Sequence, residues 1–307
     1  MLIFFVLSGY VLVRAYLNEQ AYRSFVIRRI ARLYPPFFAV TLLSIFLYHQ
    51  AAGVVVPDAS RWLAALWAQR VTITDVIGHL LLLDTPEFNS VNPVVWTLAH
   101  ELRIALVFPL IVWALLRDTR RTLFWSVIAS VAAHGLSLWT PVEIDTWLMT
   151  IHYALLFTAG AAVAIHDGQV RTFMGRLSRG TWAIAWIAAL TLLALPIANW
   201  STFYFGGPAA VAALVLCAND PTARRLLSKR LPVWFGRISY SLYLVHLPVM
   251  LAAIHLGAGL APVPLLLALA AGASIALAWA GHRFIERPAQ RWGRRPSAPR
   301  PALVAAE

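Results

Sequence analysis

His100, Glu101 and Arg103 stand inside residues 94–116, VVWTLAHELRIALVFPLIVWALL, a stretch that is otherwise apolar and long enough to cross a bilayer. Ionisable groups are costly there, so by default they mark a functional site. Glu101 and His100 are the candidates for a base that takes a proton from a hydroxyl. At helical pitch His100 and Arg103 share a face, while Glu101 points about 100° away. Glu101 is therefore expected to face a bundle cavity without touching either neighbour. The bland alternative is an ion pair that pins this helix to another through an Arg. For His100, packing or a helix–helix hydrogen bond weighs at least as much as catalysis.

Arg28, Arg29 and Arg32 precede the apolar run at 33–51. Guanidinium forks so placed can hold phosphates, although charge asymmetry across a membrane produces the same cluster. Tyr240, Tyr243 and His246 recur every three residues and form one polar stripe on an apolar stretch. Such a stripe can line a pore or glue helices together, and His246 reads more readily as structural than as a base. Ser8 and Gly9 suit close helix contact. Glu286 with Arg287 reads as an ion pair at a helix end. The remaining histidines lie apart with no ligand spacing, and the single cysteine, Cys217, sits in an apolar run. The expectation is no metal site and no intrachain disulfide.

The elements that must position these residues are membrane helices. Of 307 residues, 60% are hydrophobic and 12% charged, which fits an all-α, polytopic transmembrane bundle. Nine spans can be read, at 1–17, 33–51, 94–116, 121–139, 146–166, 181–198, 202–218, 236–256 and 262–284. The segment 72–83 is shorter and amphipathic, with Asp75 and His79 on one side, and is expected at an interface or as a re-entrant piece. Residues 1–288 form the membrane domain. Residues 289–307, rich in Pro, Ala and Arg, are expected to be a disordered cytoplasmic tail.

The net charge of +12 would suggest nucleic acid in a soluble chain, but here the basic residues lie between spans, so no nucleic-acid partner is expected. Twenty-two of the 25 basic residues fall in alternate loops and the tail, against Arg61 and Arg70 in the intervening loops, beside Asp58, Asp75, Asp84, Glu87, Glu143 and Asp145. That asymmetry puts the C-terminus in the cytoplasm of a multi-pass cell-membrane protein. Nine spans then put Met1 outside, directly in a hydrophobic helix with neither a charged flank nor signal-peptide features. The expectation is that one upstream span is missing, through a late start codon or a truncated gene.

FFVLSGYVL (4–12), RRIARLYP (28–35), NPVVWTLAHELRIALVFPL (92–110), FGRISYSLYLVHLPV (235–249) and FIERP (284–288) follow one another in this chain. In that order they resemble the acyltransferase-3 family of integral membrane acyltransferases over nearly the whole length. The resemblance implies about ten spans and transfer of an acyl group, often acetyl, from cytoplasmic acyl-CoA to a hydroxyl of a cell-envelope saccharide, lipid or small molecule. Acyl-CoA is thus implied as a co-substrate, with no permanently bound cofactor. The resemblance also implies that Glu101 is functional and that Arg29 and Arg32, matching the family's RxxR element, bind coenzyme A phosphates with Arg28 beside them. The family's first span supplies an Arg and a catalytic His just before the FFVLSG element. This chain begins after that point, the same gap that charge parity indicates.

Two other classes stand beside this reading. A transporter or flippase would show inverted repeats and paired broken helices, and no repeat relates the two halves. An inactive, truncated acyltransferase-like protein would follow from the missing span.

Overall fold

The computed structural model describes residues 1–18, 22–51, 66–67, 70–82, 91–194 and 200–293. Among them the regular elements are helices: α1 Leu2–Leu17, α2 Tyr22–Ala51, α3 Ile73–Leu80, α4 Trp96–Arg117, α5 Thr119–Ser137, α6 Val142–Ile165, α7 Asp167–Met174, α8 Arg179–Ala194, α9 Trp200–Asn219, α10 Pro221–Leu227, α11 Arg230–Gly257, α12 Val263–Gly281 and α13 Arg287–Gly293. A 3₁₀ turn, Pro93–Val95, leads into α4, and a π-turn, His282–Glu286, joins α12 to α13. Each of the nine stretches expected to span contains a helix.

Five helical stretches of the described residues are long and apolar enough to cross a membrane: Tyr22–Ala51, Pro93–Arg117, Ile144–Ile165, Arg230–Gly257 and Val263–Gly293. Two bent pairs, α7 with α8 at 119° and the end of α9 with α10 at 83°, raise this to as many as seven. Large apolar side chains such as Leu110, Ile184 and Leu269 are more than half exposed on the outside of the bundle, which suits lipid rather than water. The protein is a multi-pass membrane protein.

The core explains how a short first helix is held. Phe5, Val6 and Leu12 of α1 pack with Ile104 and Phe108 of α4, Phe157 and Ala161 of α6, and Ala210 of α9. At the crossing of α1 and α6 the two backbones touch. A Cβ on Gly9 would overlap the carbonyl of Phe157, and one on Gly160 would overlap the carbonyl of Val6. The close helix contact expected from Gly9 is thus observed, with Gly160 as its partner. A second cluster joins Leu33 and Phe37 of α2 to Leu98 and Ala99 of α4 and Leu244 of α11.

Short helices are held by their caps. Thr72 accepts from the Asp75 amide, and the Asp75 carboxylate reaches back to the Thr72 N–H at 2.7 Å, a capping box. Asp75 and His79, four residues apart, lie on the less exposed side of α3, with Ile73 and Ile77 on the exposed one. His79 is buried against Phe37, and burial pushes its imidazole down to about 4. At the bend after α9, Asp220 accepts from Trp186 Nε1 at 2.9 Å and from the Thr222 N–H at 2.7 Å. Those hydrogen bonds, Trp186 foremost, hold its carboxyl below the usual carboxylate range.

The last helix runs to Gly293, beyond the 288/289 boundary expected for the tail. Residues 294–307 lie outside the described residues, as do Asp58, Arg61, Asp84 and Glu87, which entered the loop-charge count.

Candidate functional site

Asn92 caps the 3₁₀ turn by accepting from the Val94 N–H, and Pro93 follows at the first helical position. The Asn92 amide also donates to the carbonyl of Leu244 at 3.0 Å, which fixes the start of α4 against α11. Glu101 then falls on the α4 face turned toward α1 and α2. Its Oε1 receives the Arg29 guanidinium in a buried ion pair, with 11% and 6% of the two side chains exposed, and accepts from Ser8 Oγ at 3.4 Å. The cation that a carboxylate in this position needs is therefore Arg29.

Glu101 and Ser8 line a cavity of about 320 Å³, with Phe4 and Leu33 on its apolar sides and Tyr240 and Tyr243 on the α11 side. Both tyrosines also tie helices together. Tyr240 donates to the Leu33 carbonyl at 2.7 Å, and the Tyr243 hydroxyl lies 2.6 Å from Thr97 Oγ1 and donates to the Val94 carbonyl at 3.0 Å. The two uses foreseen for this stripe, lining and gluing, coexist in the tyrosines. His246 takes part in neither, because its Nδ1 bonds the carbonyl of Tyr243 in its own helix at 2.7 Å.

A second cavity, of about 220 Å³, is lined by Arg28, Phe25, Leu12 and Gln290 and shares Val11, Arg29 and Arg32 with the first. The three arginines are thus not equivalent. Arg29 is spent on Glu101, whereas Arg32 is exposed in both cavities and makes no ion pair within 4 Å among the described residues. It stands in the field of two carboxylates, Glu101 and Glu286. An accessible guanidinium and a carboxylate in the walls of one cavity can bind an anion at a distance from a reacting centre.

His100 turns the other way. Its Nδ1 lies 2.8 Å from Thr150 Oγ1 on α6, and Arg103 reaches the same hydroxyl and the carbonyls of Thr146 and Leu82. Arg103 also sits 4.2 Å above the Trp147 ring. The structure thus brings Glu101, Arg29, Arg32 and Arg28 together and leaves His100 outside both cavities, in a helix-packing network. A larger cavity of about 690 Å³ lies elsewhere, between the start of α1 and His134, His152 and Phe203, with no carboxylate or guanidinium among the described residues that line it.

Glu286 departs from expectation. It is buried rather than paired with Arg287 at a helix end, and it accepts from Ser241 Oγ at 2.8 Å, His282 Nδ1 at 3.1 Å and Gln290 Nε2 at 3.0 Å. The π-turn explains the difference, since its wider winding rotates the side chains that follow it relative to an α-helix. FIERP was the available signal for Glu286, and nothing in the sequence pointed to Ser8 as a neighbour of Glu101.

A family profile described as an acyltransferase domain matches residues 1–283. The chain belongs to the acyltransferase-3 family. Within that family's fold the matched region contains Glu101, all three arginines and the α1–α6 crossing. The chain is also similar to Nodulation protein 10 of Rhizobium leguminosarum bv. viciae, 23% identical over 288 residues that span 83% of this chain and 72% of the relative. No solved structure matches it. The protein is a membrane acyltransferase of the acyltransferase-3 family.

Proposed function

We propose that the protein transfers an acyl group, acetyl in the simplest case, from cytoplasmic acyl-CoA to a hydroxyl of a cell-envelope saccharide, lipid or small molecule. The observation that carries this reading is the pair of neighbouring cavities that share Val11, Arg29 and Arg32 in their walls. Donor phosphates sit at Arg32 and Arg28, and the acyl-thioester arm runs past Val11 toward Glu101. The loop charges support entry from the cytoplasm, with the C-terminus on that side of the cell membrane.

In the transfer itself the acceptor oxygen bonds to the thioester carbon, the carbon–sulfur bond breaks, and the hydroxyl proton ends on the departing thiol. Glu101 serves that proton transfer as a supporting group. Arg29, already beside it, is the nearest positive charge to a developing oxyanion. Ser8 holds the carboxylate orientation.

Arg32→Gln is the test of the donor site. A charge-assisted hydrogen bond to phosphate contributes about 1.5–3 kcal/mol, so the variant should bind acetyl-CoA about ten- to a hundredfold more weakly. The wild type should lose affinity steeply with added salt and the variant less so. Unchanged affinity in a well-inserted variant would leave Arg32 only a role in membrane orientation.

A further inference from the structure

The C-terminal turn is built into the wall of the arginine cavity. Helix α13 lies directly on α2, and a Cβ on Gly293 would come within 2.8 Å of Ala31 Cβ and 3.6 Å of Arg28 Cα. Only a residue without a side chain lets the two backbones approach so closely at the cavity's edge. This contact brings Gln290, one turn earlier, into the lining beside Arg28, Arg29 and Arg32.

Gln290 is not free to rotate there. Its Nε2 donates to Glu286 Oε1, while the other carboxylate oxygen of Glu286 is held by Ser241 and His282. Glu286 is 3% exposed, so a buried carboxylate anchored to α11 and to the π-turn fixes the carboxamide. Because a carboxylate only accepts, the amide nitrogen must face Glu286. The amide oxygen and the second N–H have no hydrogen-bond partner among the described residues. That leaves an acceptor and a donor on a cavity wall next to three guanidiniums, and either can pair with one edge of a secondary amide. Acyl-CoA carries such amides in its pantetheine arm, between the phosphates and the thioester.

We propose that Gln290 hydrogen-bonds a pantetheine amide of the acyl donor, and that Glu286 is the positioning residue that presents it. Glu286 and Gln290 are four residues apart, so helical spacing brings them together, and the bond from Ser241 on α11 fixes the carboxylate that Gln290 meets. This rests on the donor-site reading, and the two separate experimentally. Coenzyme A carries both the pantetheine arm and the phosphates. Adenosine 3′,5′-bisphosphate carries phosphates alone.

Binding of each probe to the full chain in lipid nanodiscs is the measurement. Gln290→Leu should weaken coenzyme A about five- to tenfold, the usual worth of a lost hydrogen bond, and leave the bisphosphate unchanged. Glu286→Ala should do the same, whereas Glu286→Gln, whose amide oxygen still accepts from Gln290, should restore most of the affinity. A merely structural Glu286 would shift both probes together, and that result overturns the proposal. So does wild-type coenzyme A binding by Gln290→Leu, a substitution in the cavity wall that leaves Ser241 and His282 on Glu286. Arg32→Gln is the internal reference. If it weakens both probes while Gln290→Leu weakens neither, the donor site stands and the Gln290 assignment falls. If it weakens neither, the donor-site reading itself fails.

Discussion

Glu101→Gln should abolish most acyl transfer, by about a hundredfold or more, which is the scale of losing a group engaged in proton transfer. Gln preserves the shape of the side chain and an oxygen for Ser8 and Arg29, so the variant should reach the membrane at near-normal level. What it loses is the charge opposite a buried guanidinium. Because removing one partner of a buried pair costs about 3–5 kcal/mol, low activity alone would not separate chemistry from folding. The double variant Arg29→Gln/Glu101→Gln separates them. Neutralising both partners of a buried pair is often near neutral for stability, so the double variant should fold better than Glu101→Gln and remain inactive. Restored transfer in the double variant would make Glu101 a structural ion-pair member.

The second large effect is on folding. Gly9→Val or Gly160→Val drives a branched side chain into the backbone of the facing helix, where the blocked atom is a carbonyl that cannot rotate away. The expected cost is about 3 kcal/mol or more, enough to lose most folded protein in detergent, as read by monodispersity and thermal unfolding. The same change at Gly135 or Gly272, where a Cβ meets nothing within 4 Å, should be tolerated. Equal damage at all four positions would mean that the crossing of α1 and α6 is not what those two glycines serve.

Much of this was legible from the residues. A carboxylate in a long apolar helix is conspicuous, and the helical phase alone separated Glu101 from His100 and Arg103, as the Thr150 contacts of the latter two bear out. The helical stretches were legible because apolar runs between arginine-rich breaks are long. Which of Arg28, Arg29 and Arg32 meets Glu101 was not, because that depends on the rotation of α2 relative to α4, and packing at Leu33, Phe37 and Leu98 sets it. Glu286 was misread for a related reason. Its place at the end of an apolar run suggests an exposed helix end, and the π-turn that rotates it inward leaves no mark in residue composition. That the Asp75 carboxylate bonds its own helix start was not read from periodicity, which ignores such local bonds.

The central claim is that the void from Arg32 to Glu101 holds the acyl donor. The most direct measurement is photocrosslinking of the full chain in nanodiscs with an acyl-CoA analogue whose acyl group carries a photoreactive diazirine, followed by peptide mapping with and without excess acetyl-CoA. The predicted result is acetyl-CoA-competed labelling of the cavity walls around Glu101, at Phe4, Leu7 and Ser8 of α1 and at Ser239, Tyr240 and Tyr243 of α11. Competed labelling confined instead to the larger cavity beside His134, His152 and Phe203 would contradict it.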